Sequence, residues 1–263
     1  MAEFLYKKSL GQNFLQDKNI LKRIIEVSNI SGNSLTIEVG PGSGNLTKEI
    51  ASVSKKVLCY EIDDRLESVL DVNLIDYHNV DIIFADFLKR DILKDILNYE
   101  FDSLYFVANL PYYITTPIIE KLIKANLNFK HITVMVQKEV GERFNAKPGM
   151  KEYNSLTVYL NYYFDLKKEF IVSRNAFKPK PNVDSMVISL TNKENKLYLK
   201  NKDHFETLVR DSFKFKRKNL KNNLKNYDLA IVLKVLEKYN YDLTVRAEEL
   251  PLEFFVELSN SLN

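Results

Sequence analysis

The stretch Leu35-Thr36-Ile37-Glu38-Val39-Gly40-Pro41-Gly42-Ser43-Gly44-Asn45 decides how this chain reads. Residues 35–39 form a short, largely apolar run of the kind a buried strand needs. The three glycines end it where the backbone must turn, because glycine alone tolerates positive φ freely. Helical spacing resumes over 45–51. The same alternation continues on both sides. Residues 18–29 place Ile20, Leu21, Ile24, Ile25 and Val27 on one helical face behind a cap at Asp17. Further strands are predicted at 56–60, 80–84, 104–108 and 132–136, and further helices at 63–70 and 115–125. Short apolar strands alternating with helices give βαβ units, and right-handed crossovers make them an open, doubly wound parallel sheet.

Such sheets bind ligands beyond the carboxyl ends of their strands. Attention therefore falls on Gly40 and Gly42, Glu61, Asp86 with Phe87, and Asn109, which come directly after four consecutive strands. A dinucleotide loop would read G-x-G-x-x-G. Here the third glycine comes one residue early, at Gly44, with Asn45 in its place, which suits a ligand without pyrophosphate. Glu61 lies 21 residues beyond Gly40, the offset at which a carboxylate accepts from vicinal ribose hydroxyls. Asp86 is placed to accept from an adenine amino group, with Phe87 packing on the ring. Singly, each acid reads as a solvated strand end. Together they describe an adenosine pocket without a phosphate cradle, and hence S-adenosylmethionine.

Asn109-Leu110-Pro111-Tyr112 carries the chemistry. Adenine's exocyclic nitrogen is a poor nucleophile because its lone pair is delocalised into the ring. The Asn109 side-chain oxygen and the Leu110 carbonyl offer two acceptors for its N–H groups, Pro111 fixes the turn, and Tyr112 offers a stacking face. Catalysis by positioning needs no strong base.

Composition bounds the rest. The chain has 263 residues, 45% hydrophobic and 28% charged, with 15 Tyr, 16 Phe and a net charge of +3. These values fit a folded domain with a sizeable core. One cysteine, Cys59, allows neither an internal disulfide nor a Cys-rich zinc site, and His78, His131 and His204 are widely spaced, so no metal is expected. The amino terminus lacks a signal-peptide core. The longest uncharged run, 103–119, falls short of the ~20 apolar residues of a membrane span. The expectation is a cytoplasmic monomer with no membrane partner. After residue 150 the pattern changes: a helix at 154–163, strands at 170–172 and 183–190 around a proline loop, a polar Lys/Asn-rich boundary at 191–202, then helices only. The expected domains are 1–191 for the methyl-transfer chemistry and 192–263 for a helical domain, to which the family resemblance given below adds an RNA-binding role. Residues 210–225 hold Arg210, Lys214, Lys216, Arg217, Lys218, Lys221 and Lys225 against Asp211 alone. That run reads either as a solvated helix face or as a phosphate-contact surface. Lys7, Lys8, Lys178 and Lys180 extend the field. Phe177 either lines a base pocket opposite Tyr112 or anchors the proline loop.

Five segments occur in order: Leu10-Gly11-Gln12-Asn13-Phe14-Leu15, Glu38 to Thr47, Asn109 to Tyr112, Gln137-Lys138-Glu139-Val140, and Phe177-Lys178-Pro179-Lys180-Pro181-Asn182-Val183-Asp184-Ser185. As a set they resemble the ribosomal RNA adenine N6,N6-dimethyltransferases, and within them the bacterial small-subunit branch linked to kasugamycin sensitivity. The resemblance runs from about residue 10 to 250. It implies a Rossmann-like class I methyltransferase fold: a seven-stranded, mostly parallel sheet with an antiparallel last strand and a small helical C-terminal domain. It implies dimethylation of two adjacent adenosines in a hairpin loop near the 3′ end of 16S rRNA, in a small ribosomal subunit or its precursor. It assigns methyl-donor contacts to Asn13 and Leu15 as well as to Gly40, Glu61, Asp86 and Asn109. The nearest rival is a large-subunit adenine dimethyltransferase of the macrolide-resistance type. A non-enzymatic ribosome-assembly factor on the same fold is the rival of another class, and the intact strand-end residues argue against it.

Overall fold

The computed structural model describes residues 13–125 and 127–263. Lys7, Lys8 and the start of the first motif, Leu10 to Gln12, lie outside the described residues. In chain order the strands are β1 (Phe14–Leu15), β2 (Ser34–Val39), β3 (Lys56–Glu61), β4 (Val80–Phe84), β5 (Ser103–Asn109), β6 (Phe129–Gln137), β7 (Phe164–Val172), β8 (Phe177–Lys178) and β9 (Ser185–Asn192). The helices are α1 (Lys18–Ser28), α2 (Asn45–Ala51), α3 (Glu67–Asn73), α4 (Ile92–Ile96), α5 (Thr115–Lys124), α6 (Lys138–Phe144), α7 (Ser155–Tyr163), α8 (Lys202–Ser212), α9 (Leu220–Asn223), α10 (Leu229–Lys238) and α11 (Leu252–Ser261).

Seven strands form one sheet in the order β4-β3-β2-β5-β6-β9-β7. β4, β3, β2, β5 and β6 pair in parallel, and β9 runs antiparallel to β6. The strand order reverses between β2 and β5, so the ends of β2, β3, β4 and β5 open onto one crevice. β2 is buried throughout and β3 nearly so, which is why both read as continuous apolar runs rather than alternating ones. Asp17 caps α1 by accepting from the Asn19 and Ile20 amides at 2.9 and 3.2 Å, satisfying two of its orphan donors. Outside this sheet, β1 pairs antiparallel with β8, in the register Leu15 opposite Phe177.

The chain forms two compact units. One holds the described residues up to Gly141 with Lys167–Asn192, and the other holds Glu142–Leu166 with Lys193–Asn263. The sequence boundary at 191/192 keeps 142–166 with the first domain, whereas the structure packs these residues into the second unit. The physical reason is α7, whose buried Leu156, Leu160 and Tyr163 leave a face that must be covered. It packs against α8 and α11, and its Tyr159 and Tyr163 hydroxyls bond to Glu206.

The second unit is held by aromatic rings. Phe254 meets Phe255 at 5.3 Å and Tyr239 at 5.6 Å, and Phe255 meets Phe213 at 5.6 Å between ring centroids. Phe254 is fully buried. Phe254→Ala should therefore cost about 3–5 kcal/mol, read as a lowered urea midpoint by circular dichroism. An unchanged midpoint would mean that this cluster does not hold the unit.

Candidate active site

The glycine turn is shaped by its neighbours. Gly40, Gly42 and Gly44 all have positive φ, between 60° and 81°. The Gly40 amide donates to the Tyr60 carbonyl at 2.9 Å, which ties the turn to the adjacent strand. Gly42 has a second constraint: a Cβ there would lie 2.4 Å from the Phe14 ring. The Gly42 amide donates to Glu61 Oε2 at 3.2 Å, and the Asp63 amide donates to Glu61 Oε1 at 2.9 Å. Burial pushes the Glu61 carboxyl up from its ordinary range, and these backbone donors act against that rise.

Asp86 comes just after β4. Its Oδ1 accepts from the Leu88 amide at 3.0 Å, and its Oδ2 lies 3.8 Å from Lys89 Nζ. Asn109 ends β5. Its amide nitrogen donates to the Asn13 carbonyl at 3.1 Å, so its side-chain oxygen is the group left to accept. The Leu110 amide donates to the Met135 carbonyl at 3.1 Å. The Pro111 carbonyl closes a tight turn by accepting from the Ile114 amide at 3.2 Å and from the Thr115 hydroxyl at 3.3 Å. The Tyr112 hydroxyl shares a 2.6 Å hydrogen bond with Ser185, and burial raises its pKa.

These groups surround one solvent-open cavity of about 940 Å³. Asn13, Leu15, Gly40, Gly42, Glu61, Asp86, Phe87 and the whole Asn109–Tyr112 tetrapeptide line it. Its lining also contains Glu38, and among the described residues it contains no Lys, Arg or His. Burial keeps Glu38 largely protonated below about pH 7, and Asp86 lies 3.8 Å from Lys89 Nζ. No cation stands in the described lining itself to hold a pyrophosphate, however, and the acids there suit a ligand carrying positive charge. The residues therefore fit S-adenosylmethionine, whose sulfur is cationic, and do not fit a dinucleotide. No cluster of three or more His, Cys, Asp or Glu side chains able to hold a metal ion occurs among the described residues.

The two aromatic residues singled out in sequence, Phe87 and Phe177, are both largely buried. Phe87 lines the cavity but is only 3% exposed. Its ring packs edge-on to Tyr60 at 5.0 Å and near Phe106 at 6.3 Å, so little of its surface is open to an adenine. Phe177 is 6% exposed, lies in the core with Leu15 and Val172, and does not line the cavity. Of its two readings, the structure supports the anchor. Sequence reasoning missed Ile62 and Tyr113, exposed apolar side chains that line the cavity. Both directly follow a residue that reasoning had singled out, which was the available signal. It also missed Asn45, whose amide donates to the Leu15 carbonyl at 3.0 Å.

The basic segment 210–225 is not one helical face. Arg210 is on α8 and Lys221 on α9, and Lys216, Arg217 and Lys218 lie on the loop between them. Asn223 pins that loop. Its Oδ1 accepts from the Phe215 amide at 3.0 Å, and its amide nitrogen reaches the Phe215 and Lys218 carbonyls at 3.4 Å each. All five cations are exposed, as is Phe215. Phe213, by contrast, packs against Tyr153 at 6.0 Å.

Glu38 lies beneath the glycine turn, fully buried, with the Cys59 thiol 3.6 Å from its Oε2. Burial pushes its pKa up to about 7, against an ordinary value near 4.5 in the unfolded chain. Below about pH 4.5 both states hold the proton. Between pH 4.5 and 7 the unfolded chain ionises and the folded one does not, so stability falls as pH rises, by at most about 1.4 kcal/mol per pH unit. Above about pH 7 the loss is complete. Glu38→Gln has no proton to lose, so its stability relative to wild type should rise between about pH 4.5 and 7 in urea titrations and level off above. A pH-independent difference would contradict the neutral, buried carboxyl.

Comparison with known proteins agrees with this geometry. Residues 3–263 match the ribosomal RNA adenine dimethylase family. The ribosomal RNA small subunit methyltransferase A of Bacillus pumilus is 46% identical, over 98% of this chain and 92% of its own length. The protein of the same name from Bacillus cereus is 43% identical over the same shares. Among solved structures, a dimethyladenosine transferase from Plasmodium falciparum is 30% identical with a TM-score of 0.78, covering 93% of this chain and 95% of that one. The 23S rRNA methyltransferase ErmE is 27% identical with a TM-score of 0.73, covering 95% and 99%. No helix among the described residues is long and apolar enough to cross a membrane. With the family pattern spanning nearly all of its length, the chain belongs to the ribosomal RNA adenine dimethylase family.

Proposed function

We propose that this protein transfers methyl groups from S-adenosylmethionine to N6 of two adjacent adenosines in a 3′-terminal hairpin loop of 16S rRNA, acting as a cytoplasmic monomer on a small ribosomal subunit or its precursor. The observation that carries the chemistry is the Asn109 amide. Its nitrogen is committed to the Asn13 carbonyl, which leaves its oxygen as an acceptor in a cavity lined by acids. Relatives named for the small subunit, at 43–46% identity, support that substrate over the large-subunit one carried in the name of the 27% identical ErmE.

When bound, S-adenosylmethionine supplies a methyl group made electrophilic by its positive sulfur. The residues that hold it are the backbone of Gly40 and Gly42, Glu61 for the ribose hydroxyls, Asp86 for the adenine amino group, and the walls formed by Asn13 and Leu15. The target adenine is gripped through its own amino group by Asn109 Oδ1 and the Leu110 carbonyl, with Tyr112 as its stacking face. Holding both N–H groups draws the nitrogen lone pair out of the ring and toward the donor. The proton lost after transfer is already acidic, because the nitrogen then carries an extra substituent, so no strong base is needed. A base in a hairpin loop leaves its stack at lower cost than one in a duplex.

For RNA, the pinned loop and the two helices beside it supply phosphate contacts through Arg210, Lys216, Arg217, Lys218 and Lys221. A loop held by Asn223 presents its cations with less ordering cost than a free one.

Asn109→Ala should lower turnover about 10²-fold, the scale of a ~1 Å misplacement of a reacting atom. Affinity for S-adenosylhomocysteine should fall by a smaller factor than turnover, since Asn109 is one of several donor contacts and one of only two grips on the target nitrogen. Mass spectrometry of 16S rRNA from unmethylated 30S particles, with primer extension across both rRNAs, reads product and site together. Near-wild-type turnover in a folded variant would overturn the assigned role, and label in the large-subunit rRNA would overturn the substrate. Changing Lys216, Arg217, Lys218 and Lys221 to Gln should lower the log–log salt slope of RNA binding by roughly 3–4 units, at about 0.7–0.9 per phosphate contact. An unchanged slope would remove the segment from the RNA surface.

A further inference from the structure

Two half-exposed apolar side chains line the cavity: Ile62 at 50% and Tyr113 at 53% exposure. Ile62 comes after Glu61 at the end of β3. Tyr113 comes after Tyr112 in the tight turn Tyr112–Ile114. That turn is a 3₁₀ helix, with about three residues per turn, so successive side chains point about 120° apart. Two adjacent tyrosines there cannot serve the same surface.

Their surroundings divide them. Tyr112 is bonded to Ser185, at the start of β9, at 2.6 Å, and the charge acting on it is that of Asp184. The charges acting on the Tyr113 hydroxyl are those of Asp86 and then Glu61, behind a rise due mainly to burial. These two acids stand at the ends of β4 and β3, the half of the cavity assigned to the donor's adenosine. Phe87 also lines this half, but it is 3% exposed with its ring packed on Tyr60 and Phe106, so the half-exposed Tyr113 offers the larger open aromatic surface there.

We infer that Tyr113 is the aromatic wall of the methyl-donor site, covering the donor's adenine together with Ile62, while Tyr112 serves the target base. The inference rests on the assignment of this cavity to S-adenosylmethionine. It makes Tyr113 a binding residue for the nucleoside part of the donor, with its ring as the working part and its hydroxyl dispensable. The exposed ring is then surface that the nucleoside buries on binding.

The probe is S-adenosylhomocysteine, titrated calorimetrically into the whole protein. Tyr113→Ala should weaken binding about 10-fold, within the range of a base–aromatic stack, and Tyr113→Phe should stay within about 2-fold of wild type. A role confined to folding would not separate these two variants in this way. Because the chain contains no Trp, Tyr113→Trp gives a single-site fluorescence reporter whose emission should change on adding S-adenosylhomocysteine. Unaltered affinity in Tyr113→Ala would overturn the inference. So would a reporter that responds to an adenosine-containing RNA hairpin and not to S-adenosylhomocysteine, since Tyr113 would then face the target base. Failure of the wild type to methylate 30S particles while binding S-adenosylhomocysteine would sink the proposed function and leave this inference standing.

Discussion

The hydrogen bond from the Asn109 amide to the Asn13 carbonyl spans 96 residues of sequence, and the chemistry assigned to the cavity depends on it. An Asn side chain offers both a donor and an acceptor end. Only the acceptor end grips an adenine amino group, so something must hold the donor end. Asn13 does so, and the residues next to Asn13 hold it in turn. β1 pairs with β8, the Gln16 amide donates to the Ala176 carbonyl at 3.1 Å, and Leu15 faces Phe177 in the core. Phe177 therefore acts at a distance: it anchors the ribbon that orients the amide. Its burial and the chemistry of the tetrapeptide are parts of one arrangement.

A second constraint is the separation of charge. Net charge is +3, a value that says little by itself. Its distribution says more. The cavity is lined by carboxyl groups and, among the described residues, by no cations, while an exposed run of cations stands on the loop that Asn223 pins. A cationic donor and a polyanionic substrate make opposite demands, and the proposed reading assigns them to different residues.

The strand ends were legible because a parallel sheet buries its central strands on both faces, which makes the apolar runs continuous and their polar stops conspicuous. Gly40, Glu61, Asp86 and Asn109 all line the cavity. What the pattern cannot show is side-chain direction after a strand has ended. Phe87 is one position past Asp86, yet its ring turns into the core, whereas Ile62, one past Glu61, stays exposed. β8 has only two residues, too few for any period, so the burial of Phe177 left no trace in sequence. Asn13 and Leu15 rested on the family resemblance for the same reason. In 210–225 the density of charge hid the break between α8 and α9. The signal present was Asn219, whose side chain caps α9, a residue type that starts helices.

Glu61 shows how the site is prepared before any ligand arrives. A carboxylate has about four acceptor positions. The Gly42 and Asp63 amides fill two of them and the Ile62 amide also bonds to the carboxyl, which fixes the glycine turn against β3 and limits the cost of burying the charge. The capacity that remains is open to hydroxyl donors. The same backbone donors that hold the turn lower the carboxyl's pKa against the effect of burial, and so favour the ionised form that accepts. Glu38, one strand away, is bonded to side chains instead, and its pKa is pushed up to about 7. The two buried acids differ because one sits where backbone amides converge and the other where side chains surround it. That difference is what favours Glu61 over Glu38 as the acceptor in the proposed reading, with Glu38 as part of the floor.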